Sequence, residues 1–259
     1  MNGIKFAFRQ WRYQLKQMNF WIVMIVLLLF FWSYLAAGRE ILSAKGERVG
    51  VFALFPIMAS ESNIVLVMFA CLLVLISDIP TVYAGIEYQL IRMDRMKWYV
   101  GQITYIFLLN ITFWILIIGM QLFCYIPYLS CRIELGDGIT SGDAFASFGV
   151  MVPECLTDTN IMCKFTEAVG LCVMLGLLMG VICLVCNILG FHAGTGITIC
   201  NAVDWKYFSP VGVLQSYSGY SAVPVVGAYA YYIQLCCILM FLGMYKVNRY
   251  DLNIGTDVS

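Results

Sequence analysis

Residues 20–37 read FWIVMIVLLLFFWSYLAA, 18 consecutive positions without a formal charge. A helix needs about 20 predominantly apolar residues to cross a bilayer core, so this run decides between a membrane protein and a soluble one. It starts too late and runs too long for a cleaved leader, and no small-x-small site precedes Arg39. It is therefore expected to remain as a membrane helix. The whole chain agrees: of 259 residues, 62% are hydrophobic and 12% charged, with a mean hydropathy of +0.86. Soluble domains carry roughly 25% charged residues, and this chain lacks the polar groups to cover a water-facing globule. Lys plus Arg and Asp plus Glu each number 15, so no net charge draws it to nucleic acid.

Further apolar stretches lie at Ser60–Pro80, Val100–Leu129 and Ser221–Tyr245, and Thr166–Val203 holds one charge, Glu167. That last region is nearly long enough for two tight spans turning near Asn187–Gly194. The expected fold is an all-α membrane protein, a single transmembrane domain over residues 1–259. Its six transmembrane helices fall near 20–37, 60–80, 100–125, 166–186, 188–203 and 223–245. Gly190, Gly194 and Gly196 thin the fifth of these, and a re-entrant segment is the alternative there. With both termini inside, the cytosolic pieces hold Lys5, Arg9, Arg12, Lys16, Arg92, Arg95, Lys97, Lys246 and Arg249, nine cations against six outside. Cytosolic loops are enriched in Lys and Arg, so an N-in/C-in arrangement in a cell membrane is expected.

Residues 1–19 contain an amphipathic elbow helix. Ile4, Phe8, Trp11, Leu15 and Met18 share one face, with Lys5, Arg9, Arg12 and Lys16 on the neighbouring stripe, the pattern of a helix lying under lipid headgroups. Residues 81–99 form a cytosolic segment, preceded by the helix stops Pro80 and, within it, Gly85. There Ile86, Leu90 and Met93 line one face and Tyr88, Arg92 and Arg95 the opposite one. It reads either as a snorkelling anchor, with Trp98 and Tyr99 at the interface, or as a docking helix for a soluble partner. The outer loop 128–165 is acidic and rich in Gly and Ser.

Catalytic signals are sparse. Most of the 11 cysteines lie in apolar spans, and Cys183–Cys186 has CxxC spacing without the partner pair a metal or redox motif needs. Cys131, Cys155 and Cys163 lie in the outer loop, where one disulfide is chemically allowed. His192 is the only histidine, and Asp78 near a span end reads as a helix terminus more readily than as a site. No catalytic residue, metal site or bound cofactor is expected. Gly176 and Gly180 have the GxxxG spacing that lets helices approach closely, within this chain or between subunits. No GxxxxGK[ST] motif occurs, so ATP would have to be hydrolysed by another polypeptide.

The stretch from Leu75 to Gln102 resembles the membrane subunits of type-2 ABC exporters, most of all small Gram-positive bacterial permeases encoded beside a separate ATPase. Glu87, Leu90, Arg92, Arg95, Trp98, Gly101 and Gln102 carry the resemblance, and Ser209-Pro210 and Lys246–Asp251 resemble the family's last third. The resemblance implies a paired membrane subunit, identical or different, and an ABC ATPase subunit that holds ATP and Mg. Glu87, Leu90, Arg92, Arg95, Lys97 and Trp98 would couple to that ATPase. It also implies an amphipathic cargo such as an antimicrobial peptide (a lantibiotic), a drug or a lipid-like molecule, exported or cleared for self-immunity. The rival reading is an integral membrane scaffold with no transport cycle.

Overall fold

The computed structural model describes residues 3–77, 79, 94–130, 160–189, 214 and 224–249. These residues form eight α-helices and two short strands. In chain order they are α1 (Gly3–Gln14), α2 (Met18–Tyr34), α3 (Ala36–Lys45), β1 (Val49–Gly50), α4 (Val51–Ser60) and α5 (Ser62–Ile76). There follow α6 (Arg95–Tyr125), a 3-10 turn (Ile126–Tyr128), β2 (Leu129–Ser130), α7 (Ile161–Ile188) and α8 (Val225–Arg249).

Among the described residues, three helices are long and apolar enough to cross a membrane: α6 with its 3-10 extension, α7 and α8. Counting each of two bent pairs, α1–α2 and α4–α5, as one span gives five. The fifth expected span, 188–203, lies outside the described residues except at its first two positions, as do residues 81–93 of the cytosolic segment and 131–159 of the outer loop.

The first apolar run ends earlier than its composition indicates. α2 stops at Tyr34, and the chain resumes as α3 after Leu35. Arg39 supplies a reason. Its guanidinium lies 3.8 Å from the Trp32 ring centroid and donates to the Trp32 carbonyl at 2.9 Å. A cation there complements the exposed carbonyls and the dipole of the helix C-terminus. Gly46 ends α3 with φ 68°, the left-handed conformation that favours glycine at this position.

The second expected span, 60–80, is a 15-residue helix, α5, preceded by a second helix that the apolar windows do not single out. α4 has the sequence VFALFPIMAS, and Ala53 through Ala59 are all buried. The chain bends between the two helices at Glu61, whose backbone is extended. Fifteen residues rise only about 22 Å, short of a bilayer core, and α4 meets α5 at a bend of 89°. A parallel bridge pairs Val49 with Leu129 and Gly50 with Ser130, fastening the entry to α4 beside the end of α6.

α7 is the most buried of the long helices and α8 the least. α7 packs against α4, α5, α6 and α8. At the centre stands Trp114 of α6, ringed edge-on by Phe55, Phe69 and Phe113 at centroid distances of 6.2, 5.2 and 5.5 Å. Its indole N–H donates to Asn110 Oδ1 at 2.9 Å, and Asn110 Nδ2 donates to the Val173 carbonyl of α7 at 2.7 Å. A buried amide left unbonded in so apolar a place would be costly. Here it has partners on both sides and ties α6 to α7.

Candidate functional site: the basic end of the bundle

Close contacts gather one end of several helices. Gly3 of α1 sits against the Lys97 carbonyl and Gly101 of α6. Tyr99 of α6 donates to the Met240 carbonyl of α8 at 2.9 Å, and Gly243 faces its ring. Asn187 of α7 donates to the carbonyls of Ser77 and Ile79, just past α5. The opposite end holds Arg39 near Tyr125, the Val49–Leu129 bridge, the Phe52–Phe165 contact and the Tyr229 hydroxyl bonded to the Glu167 carbonyl at 3.2 Å.

The two ends differ in charge. Among residues whose side chains are described, the first carries Lys5, Arg95, Lys97 and Lys246 with a single acid, Asp94, and Arg9, Arg12 and Lys16 follow along α1 from that end. The second carries Arg39, Lys45, Arg48 and Lys164 with Glu40, Glu47, Glu61 and Glu167. Lys164 is paired with Glu167 at 2.9 Å.

Asp94 is the N-cap of α6, accepting from the Met96 backbone N–H at 3.4 Å. The helix therefore starts one residue later, and Arg95, Lys97 and Trp98 stand in its first turns rather than on a rod separate from the span. Lys97 is exposed, while Arg95 and Trp98 are half-buried. From this basic end the helix continues for 31 residues through Asn110 and Trp114 to the far side. A shallow open groove of about 330 Å³ lies beside its start, lined by Gly3, Ile4, Met96, Lys97 and Val100. Glu87, Leu90 and Arg92, the other residues expected to meet an ATPase, lie outside the described residues.

A helix, α1, covers the region expected to form the elbow, but packing selects a face that the sequence does not advertise. Phe6, Ala7, Gln10 and Gln14 are buried, and α1 lies along α6. Both helices run the same way, since Gly3 meets Gly101 and Trp11 reaches Thr112, donating to its hydroxyl at 2.9 Å. A Cβ on Gly3 would collide with the Lys97 carbonyl, so this approach of two backbones requires glycine. Ile4 and Phe8, expected on the apolar face, are exposed, as are Lys5, Arg9, Arg12 and Lys16.

Gly176 and Gly180 serve contacts inside this chain. A Cβ on Gly176 would meet the Asn110 amide and Leu72, and one on Gly180 would meet Ile106. Cys183 and Cys186 lie further along the same helix and Cys163 is exposed, none of them in a disulfide among the described residues. Cys131, Cys155, His192 and Asp78 lie outside the described residues. Among the described residues no three His, Cys, Asp or Glu side chains come together as a metal site.

Sequence reasoning missed the Asn110–Trp114 pair, although their spacing of four puts them one turn apart on a single helix face. It also missed Gln121 and Tyr125, one turn apart near the far end of α6 and buried, with neither the amide nor the hydroxyl hydrogen-bonded among the described residues. No family model, curated protein or solved structure matches this chain.

Proposed function

We propose that the chain is the membrane subunit of an ATP-driven exporter of the type-2 ABC kind, with six spans and both termini in the cytosol. It would work with a second membrane subunit and a separate ATPase, moving an amphipathic cargo such as a peptide, drug or lipid-like molecule.

The observation that carries this reading is the continuity of α6. Its first turns present Arg95, Lys97 and Trp98, and the same rigid helix runs on to the central Trp114 cluster without a break. A displacement applied at the basic end is thereby delivered to the middle of the bundle through α7, by Asn110, and through α8, by Tyr99. The cation excess at that end supports placing it in the cytosol, where an ATPase would dock. The resemblance around Glu87–Gln102 supports the identity of the docking segment.

The test is association. Tagged protein extracted in mild detergent from its native host should bring down an ATPase subunit containing a Walker motif, and R92E/R95E should lower the recovered ATPase by at least about ten-fold. Recovery of folded protein with no ATPase, or full recovery with the double reversal, would favour a scaffold without a transport cycle.

A further inference from the structure

The four cations of α1 are spaced to do more than orient the chain. At about 100° per residue, the helix divides into three longitudinal stripes. Gly3, Phe6, Ala7, Gln10 and Gln14 form the stripe turned to α6. Ile4, Phe8, Trp11 and Leu15 form the second, with Ile4 59% and Phe8 45% exposed. Lys5, Arg9, Arg12 and Lys16 form the third, all exposed. None of these four makes an ion pair among the described residues, and Asp94, capping α6, is the only described acid at this end of the bundle. Beside them lies an open groove of about 580 Å³, lined by Lys5, Phe8, Arg9, Arg12, Tyr13 and Lys16.

We propose that this groove binds the phosphate groups of anionic phospholipids, making α1 a charge-selective lipid-binding helix docked on α6. The geometry favours a bilayer over a soluble polyanion. A dissolved anion would satisfy the cationic stripe and leave Ile4 and Phe8 in water. A membrane surface takes both, since acyl chains receive the apolar stripe while headgroup phosphates meet the guanidinium and ammonium groups. The contacts with α6 keep the arrangement rigid, because the Gly3–Gly101 approach and the Trp11–Thr112 bond fix the rotation of α1 about its own axis. The stripe of cations is therefore held in place before any lipid arrives. This inference rests on membrane embedding and is independent of any ATPase.

The full-length protein, reconstituted in mixed phosphatidylcholine–phosphatidylglycerol bilayers and re-extracted in mild detergent, tests it by mass spectrometry of the retained lipid. Phosphatidylglycerol should be enriched over its bulk share by about ten-fold, declining as salt is raised. K5Q/R9Q/R12Q/K16Q should bring the ratio close to bulk, and R9K/R12K should preserve most of it. Equal retention of both lipids by the unaltered protein, or undiminished enrichment in the quadruple variant, would overturn the proposal. So would displacement of the lipid by millimolar inorganic phosphate, which would mark a site for free anion. Should the quadruple variant fail to insert, salt-insensitive enrichment in the unaltered protein would be equally fatal.

Discussion

α6 is gripped on two sides, and the two seams are built differently. Against α7 it offers Asn110, Phe113 and Trp114, which meet Gly176, the Val173 carbonyl and the phenyl rings of α4 and α5 in a closed apolar interior. Against α1 it offers Gly101 and Thr112, which meet Gly3 and Trp11 at the edge of the bundle, beside buried Gln10 and Gln14. Both seams use glycine, the first to admit the Asn110 and Ile106 side chains and the second to bring backbones together, and both use a hydrogen bond to set register. Only the first encloses its polar groups in aromatic packing on every side. Helix association within a bilayer depends on close packing and interhelical hydrogen bonds, with little hydrophobic drive. The α6–α7 seam is thus the structural axis, and the α1–α6 seam is a lighter joint attached to it.

Three substitutions sharpen that contrast. Trp114→Ala should cost about 3–5 kcal/mol in reversible unfolding from detergent, because it empties the centre of the cluster and removes one of the two partners of Asn110. A loss under about 1 kcal/mol would mean that the rings repack and the seam is not an axis. Gly176→Val should cost about 1–3 kcal/mol by pushing a branched side chain into the Asn110 amide and Leu72. Thermal denaturation should show it as one cooperative transition at lower temperature. Trp11→Phe should have the smallest effect, about 0.5–1.5 kcal/mol, from loss of the bond to Thr112. Hydrogen exchange should quicken in α1 while α6 and α7 keep their protection, and uniform acceleration across the three helices would erase the distinction between the seams.

What was legible in the sequence follows from how each element is stabilised. α6, α7 and α8 are long runs whose composition alone answers to lipid, and they stand near the expected positions. The apolar and cationic stripes of α1 were readable from spacing. The stripe that touches the protein was not, because Gln10 and Gln14 resemble solvent-facing residues until a neighbouring helix is placed over them. α4 escaped notice because ten residues are too few for a span and Pro56 reads as a break. Its burial comes from tertiary packing, which hydropathy windows do not see. Asn110 in the middle of an apolar run has no sequence partner that betrays its role, since the carbonyl it bonds belongs to a residue 63 positions away.

The ten residues of α4 also bear on how the molecule is made. Their nearest companions include Trp114, on α6, and Phe165, on α7, both synthesised later. Alone the segment is too short to lodge across a bilayer, so it must wait at the membrane surface while the ribosome delivers the walls of its slot. Its seating is therefore a late step of biogenesis, and a chain truncated before residue 165 would leave that hydrophobic segment as a target for quality-control proteases.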